Sequence, residues 1–157
     1  MSQKLSFGQI RPWLILGFVG VMLIVIANAI FSRPPSISSA NPNNPQAVAL
    51  GRGVYVQHCA SCHGGNLEGQ PNWQTPNPDG TMPAPPHDPS GHTWHHTDES
   101  LFTTVKYGSQ ATSPPGYPAS MPGFGSVLSD DEIYAVLAYI KSTWPPEVQQ
   151  LQREGGH

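Results

Sequence analysis

Apolar positions divide the chain into one long unbroken run and three shorter periodic stretches. The run 12-PWLILGFVGVMLIVIANAIFS-32 holds 21 residues without a charge. A helix of that length rises about 30 Å, the thickness of a bilayer's hydrocarbon core. A transmembrane helix is therefore predicted over 12–32, after a short cytoplasmic N-terminus (1–11). A cleaved signal peptide is the competing reading, because Lys4 and Arg11 make a suitable basic start and 27-ANA-29 fits a small-x-small cleavage site. The apolar stretch continues past that site through Ile30 and Phe31, and Trp13 and Arg33 suit the two interfaces of a spanning helix. In either case the basic end stays inside and the remainder is exported.

The segment 33-RPPSISSANPNNP-45 has almost nothing to bury and reads as a linker. Beyond it, 46-QAVALGRGVYVQHC-59 predicts a helix starting just after Pro45, with Val48, Ala49, Arg52, Val54, Tyr55 and His58 on a broad face. Gly51 and Gly53 weaken that helix unless something approaches its backbone closely. A second helix is expected at 98-DESLFTTVKYG-108, capped by Thr97 and ended by Gly108, with Asp98 and Glu99 at its positive end. The third stretch, 129-SDDEIYAVLAYIKSTWPP-146, is the clearest. Ser129 and Glu132 form a capping box, Ile133, Val136, Leu137, Ile140 and Trp144 recur at helical spacing, and Pro145 and Pro146 end it. Residues 64–96 and 109–127 read as loop, and the polar tail 147–157 as frayed. No strand signal is present. The organisation expected is mostly α, with one domain over 46–146.

Composition supports a loop-rich domain: charged residues are 11%, against 18 prolines and 16 glycines. Residues 34–157 carry four basic side chains and all ten acidic ones. No Lys/Arg cluster exists to neutralise phosphates, which excludes a nucleic-acid partner.

The chemistry concentrates in 59-CASCH-63, which holds both cysteines of the chain. A dithiol redox pair uses this spacing but expects a surrounding βαβ pattern. A zinc site needs a second pair of ligands, for which His92, His95 and His96 are available. Covalent haem attachment, the reading these residues favour, uses each thiol on one vinyl group and makes His63 an axial iron ligand. Two thioethers two residues apart clamp one edge of the macrocycle and bring the next side chain under the iron. Export fits, since cysteines used this way cannot scramble into disulfides.

The stretches 51-GRGVYVQHCASCHGGNLEGQP-71 and 120-SMPGFGSVLSDDEIYAVLAYI-140 resemble the class I monohaem c-type cytochromes. The resemblance covers 46–144 in outline. It implies the small class I cytochrome c fold, in which the first and last helices cross and loops wrap one haem c. It also implies a close helix contact, expected at Gly53 against Tyr139, and a proline-region carbonyl, expected within 83-PAPP-86, that orients the His63 ring.

For the ligand opposite His63 the candidates are Met121, Met82 and a histidine. Met121 sits in a Met-Pro loop directly before the last helix and is the expected ligand; Met82 lies in a proline-rich insert. His/Met ligation leaves no open position and favours reduced iron, which is electron transfer rather than bond-making chemistry. The expected protein is a periplasm-facing, single-pass electron carrier of the bacterial cytoplasmic membrane, or a subunit of a quinol-oxidising respiratory or photosynthetic complex, with redox proteins as partners. The alternative is a haem-based sensor with a displaceable sixth ligand. The insert holding His87, His92, His95 and His96 is longer than the family needs. Packing around the haem edge, with Trp94 or a histidine donating to the propionates, is expected there; a separate metal-delivery site is the rival.

Overall fold

The computed structural model describes residues 12–31 and 36–155, with α1 side chains given from 17 to 26. The N-terminus 1–11, the start of the linker (32–35), the side chains of Trp13 and of the 27-ANA-29 site, and the last two residues lie outside the described residues.

The chain divides into two units, Met1–Pro35 and Ser36–His157. The first contains α1 (Pro12–Phe31), a 20-residue helix. Among the described residues no helix is long and apolar enough to cross a membrane, so the single-pass topology expected over 12–32 has no support from them.

The second unit is helical, with no strand among the described residues: α2 (Pro45–His58), α3 (Ala60–His63), α4 (Asp98–Tyr107), α5 (Asp130–Ser142) and α6 (Pro146–Arg153). α2 starts where the Asn44 side chain accepts from the backbone N–H groups of Gln46 and Ala47, with Pro45 at its first position. Thr97 caps α4 through the Ser100 N–H, and Gly108 ends it at φ 89°. The capping box of α5 is present as the sequence predicts.

α2 packs across α5, and this crossing is the core. Ala47, Gly51, Val54 and Tyr55 of α2 are buried against Ile133, Ala135, Val136, Leu137 and Ile140 of α5. The crossing glycine is Gly51, not Gly53. A Cβ on Gly51 would collide with the Ala135 carbonyl, whereas one on Gly53 would meet nothing within 4 Å. The buried stripe runs 47, 51, 54, 55, so Gly53 points outward, and Tyr139 packs instead on the Tyr55 ring, 5.5 Å between centroids.

Two further expectations change. Part of the stretch read as linker packs onto the domain: Ala40 is buried and the Ile37 N–H donates to the Asp131 carboxylate at 3.1 Å. The tail read as frayed forms α6. Its Gln152 is buried and donates to the His96 carbonyl (3.1 Å) and to Asp98 (2.8 Å). Asp98 also pairs with Lys141 of α5 at 2.7 Å, and so ties α4, α5 and α6 together.

Candidate haem site

The end of α2 leads directly into the chemistry. Cys59, with φ −114°, separates α2 from α3, whose single turn closes through His63 N–H to Cys59 O at 2.9 Å. Residues three and four apart in such a turn share a face, so one turn carries both thiols and the imidazole. Gly64 ends the turn, and the buried Tyr55 hydroxyl donates to its carbonyl at 2.8 Å. Burial raises the Tyr55 phenol well above its ordinary range, keeping it a donor.

His63 is 7% exposed, and its Nδ1 lies 2.8 Å from the Pro85 carbonyl. A carbonyl only accepts, so Nδ1 carries the proton and Nε2 keeps its lone pair. Burial lowers the His63 pKa, opposed by the Pro85 bond, so the ring is neutral at physiological pH. That is the state and tautomer a metal-ligating histidine needs. Cys59 is partly buried and Cys62 exposed, both as free thiols. Burial, and then the neighbouring Cys62, push the Cys59 thiol up to about 11. A dithiol exchange site needs its thiol pushed the other way. The donor set therefore fits haem c: two free thiols and a neutral, oriented imidazole in one turn.

Pro85 delivers its carbonyl because the insert is tightly pinned. Gln70 N–H donates to Ala84 O (2.9 Å), Ala84 N–H to the Gln70 side chain (2.9 Å), and His87 N–H to Leu67 O (2.8 Å).

Met121 comes from the separate loop before α5. Its N–H donates to Ser109 Oγ (3.2 Å), and the Ser109 N–H donates to its carbonyl (3.1 Å). Phe124 and Gly125 donate to the last carbonyls of α4. The other candidate, Met82, is not remote from this loop: its carbonyl accepts from Ser120 Oγ at 3.4 Å. The structure brings the two methionine segments side by side, a neighbourhood not legible from the sequence.

The four histidines of the insert do not converge. His92 stacks on Trp73 (5.5 Å, 9°) with His96 at its edge, and His95 stacks on Trp94 (3.7 Å). Trp94 donates its indole N–H to Gly91 O (3.0 Å), closing its own loop. Among the described residues no group of three or more His, Cys, Asp or Glu is placed to hold a metal ion. His87 alone turns inward. Its ring lies 4.0 Å from that of His63 at 22°, a contact that sequence reasoning missed. It retains some accessible surface, yet the atoms around it desolvate the imidazolium and hold its pKa well below the ordinary value.

An open groove of about 680 Å³ runs beside α2, lined by Val48, Ala49, Arg52, Val56, Asn66 and Tyr139. It excludes Cys59, Cys62 and His63, and the chemistry of that turn, not the size of this groove, marks the site.

The crossed helices, the two-thiol turn and the carbonyl-oriented histidine define a c-type cytochrome domain. The chain belongs to the family described as cytochrome c oxidase, cbb3-type, subunit III, whose profile matches residues 46–140. It is similar to the cbb3-type cytochrome c oxidase subunit FixP of Sinorhizobium medicae (strain WSM419), 28% identical over 119 residues, which cover 74% of this chain and 37% of that protein. It is also similar to the FixP subunit of Azorhizobium caulinodans, 26% identical over 103 residues, covering 63% of this chain and 31% of the relative. The chain thus spans about a third of the length of the curated relatives it matches. No solved structure matches it.

Proposed function

We propose that the domain carries one haem c, held through Cys59 and Cys62 with His63 and Met121 as axial ligands, and passes single electrons in a membrane-bound respiratory oxidase. When bound, the haem supplies a one-electron iron couple. The observation that carries this reading is the 2.8 Å bond from His63 Nδ1 to the Pro85 carbonyl, which leaves Nε2 for a metal. Cys59 and Cys62 would hold the group covalently, and His63, oriented by the Pro85 carbonyl, would supply its imidazole nitrogen. Met121 is favoured over Met82 because backbone bonds to Ser109 hold it on both sides. Held by both His63 and Met121, the group would keep no open position, and its potential would be raised. Met121→Ala is expected to abolish the methionine–iron charge-transfer absorption of the oxidised protein. Survival of that band, with its loss in Met82→Ala, overturns the assignment. Rapid, tight carbon monoxide binding by the reduced wild type supports the displaceable-ligand alternative instead.

The relatives are named as subunits of a cbb3-type cytochrome c oxidase, which turns the partner reading from a quinol-oxidising complex to a terminal oxidase. In a mild-detergent native gel stained for haem, co-migration with large polypeptides supports the subunit reading, and migration at the size of this chain alone supports a free carrier. We read α1 as the membrane anchor. It is a 20-residue helix without a charged residue, and Phe18, Val21 and Leu23 along it are 71%, 60% and 61% exposed. An apolar surface of that kind is satisfied by lipid. Release of the protein from membranes by alkaline carbonate would overturn this.

A further inference from the structure

The His87 imidazole is the only polar ring described against the face of His63, and the contacts around it are too specific for a space-filler. The bond from His63 Nδ1 to Pro85 O constrains one edge of the His63 ring. A ring held at one edge still swings about that line. A second ring lying flat on its face stops the swing, and His87 lies there, centroids 4.0 Å apart and 22° from parallel. That is closer than the roughly 4.5–7 Å usual between aromatic centroids.

His87 is itself fixed on every side. Its N–H donates to Leu67 O (2.8 Å) and its carbonyl accepts from the Trp144 indole (2.8 Å). Its Nδ1 lies 2.7 Å from Thr93 Oγ. The buried Thr93 hydroxyl donates onward to Pro86 O at 3.4 Å, which leaves its oxygen to accept the His87 Nδ1 proton. The Tyr55 ring closes the far side, 6.4 Å away and edge-on. Adjacent carbonyls thus hold both rings: Pro85 holds His63 directly, and Pro86 holds His87 through Thr93. A leucine would fill the volume and keep the two backbone bonds, but its side chain would have no bond to Thr93.

We propose that His87 is a positioning residue for His63: stacked on it and locked by Thr93, it fixes the orientation of the His63 ring toward the iron and thereby the potential of the site. This rests on the His63 ligation proposed above. Loss of an outer-shell partner of a metal-ligating histidine costs about 10–100-fold in metal affinity or activity, and a change at the low end of that range is expected here between the two oxidation states. Tenfold in the ratio of oxidised to reduced protein is ~59 mV for a one-electron couple.

The test uses the full-length, haem-loaded protein in detergent, read by low-temperature EPR of the oxidised state and by redox titration. His87→Ala is expected to broaden or split the low-spin signal and to shift the ratio at fixed potential by on the order of tenfold. His87→Phe, which restores a flat ring, is expected to return a single sharp species. An unchanged spectrum and potential in His87→Ala overturns the proposal, as does a His87→Phe signal as broad as that of alanine. If the alanine variant takes up no haem, His87→Leu replaces it under the same criteria. The underlying ligation fails separately: it is wrong if His63→Ala keeps the wild-type low-spin spectrum, whatever the His87 variants do.

Discussion

The helix crossing makes opposite predictions for two glycines in the same helix. Alanine is favoured over glycine inside a helix by roughly 1 kcal/mol. At Gly53, where a new Cβ would meet nothing within 4 Å, Gly53→Ala should realise most of that gain. At Gly51 the new Cβ would overlap the Ala135 carbonyl and lie 2.9 Å from Val136 N. These are backbone atoms of α5 and cannot rotate away, so α2 and α5 must part. Overpacking of this kind costs about 1–3 kcal/mol, sometimes more. A gap of even ~0.5–1 Å forfeits a quarter to a half of the dispersion at each opened contact. Rigid backbone on both sides puts Gly51→Ala at the upper end, leaving it roughly 2 kcal/mol less stable after the propensity gain. For a domain of this size 1 kcal/mol is about 3–5 °C in Tm. Thermal unfolding followed by circular dichroism should show Gly53→Ala up by ~2–5 °C and Gly51→Ala down by ~6–10 °C. If Gly51→Ala is as stable as Gly53→Ala, the crossing is not where the structure places it.

Asp98→Ala should strand the Lys141 ammonium, whose side chain is 6% exposed, and release Gln152 of α6. Breaking a buried pair costs about 3–5 kcal/mol, but Asp98 itself is 40% exposed, so solvent screening reduces the expected loss to ~1–2 kcal/mol, read as a fall in Tm. At the start of α5 the backbone N–H of Ser129, and then its hydroxyl, lower the pKa of Glu132. A depressed carboxylate stabilises the fold above its unfolded pKa and loses that contribution as pH falls through the folded one. Glu132→Gln should therefore be less stable than wild type at neutral pH, with the Tm difference closing toward acid. A difference that persists below the carboxylate range would refute the capping role.

Much of this was legible because the signals are local. Ser129 with Glu132, and Thr97 before Asp98, announce their helix starts through side chains that satisfy nearby N–H groups. The two-thiol turn names its own chemistry. The face of α2 was not legible, because its contact point is Gly51, a residue without hydrophobic signal whose role exists only once α5 lies against it. The same holds for α6. Its buried anchor is Gln152, bonded to His96 and Asp98 some fifty residues earlier, and no periodicity reports that. The carbonyl for His63 could be placed within 83-PAPP-86, but the partner that stacks on the ring follows one residue later and is polar. A buried-side polar residue reads as loop until its neighbours are known.

Pro85 and Pro86 show how residues outside any helix or strand can still be held stiffly. Pro85 and Pro86 have fixed φ angles, and two glycines close on them from either side. A Cβ on Gly69 would strike the Pro86 nitrogen, and one on Gly91 would strike the Pro86 carbonyl. The dipeptide is thus gripped at van der Waals distance by backbone alone, and its two carbonyls point to His63 and Thr93. Helices would supply rigidity through their own ladders, yet their carbonyls are already used within them. A proline pair has no N–H to satisfy and keeps both carbonyls free. The prolines and glycines around this dipeptide, read from composition as a sign of a loop-rich domain, supply the fixed scaffold that orients the His63 ring.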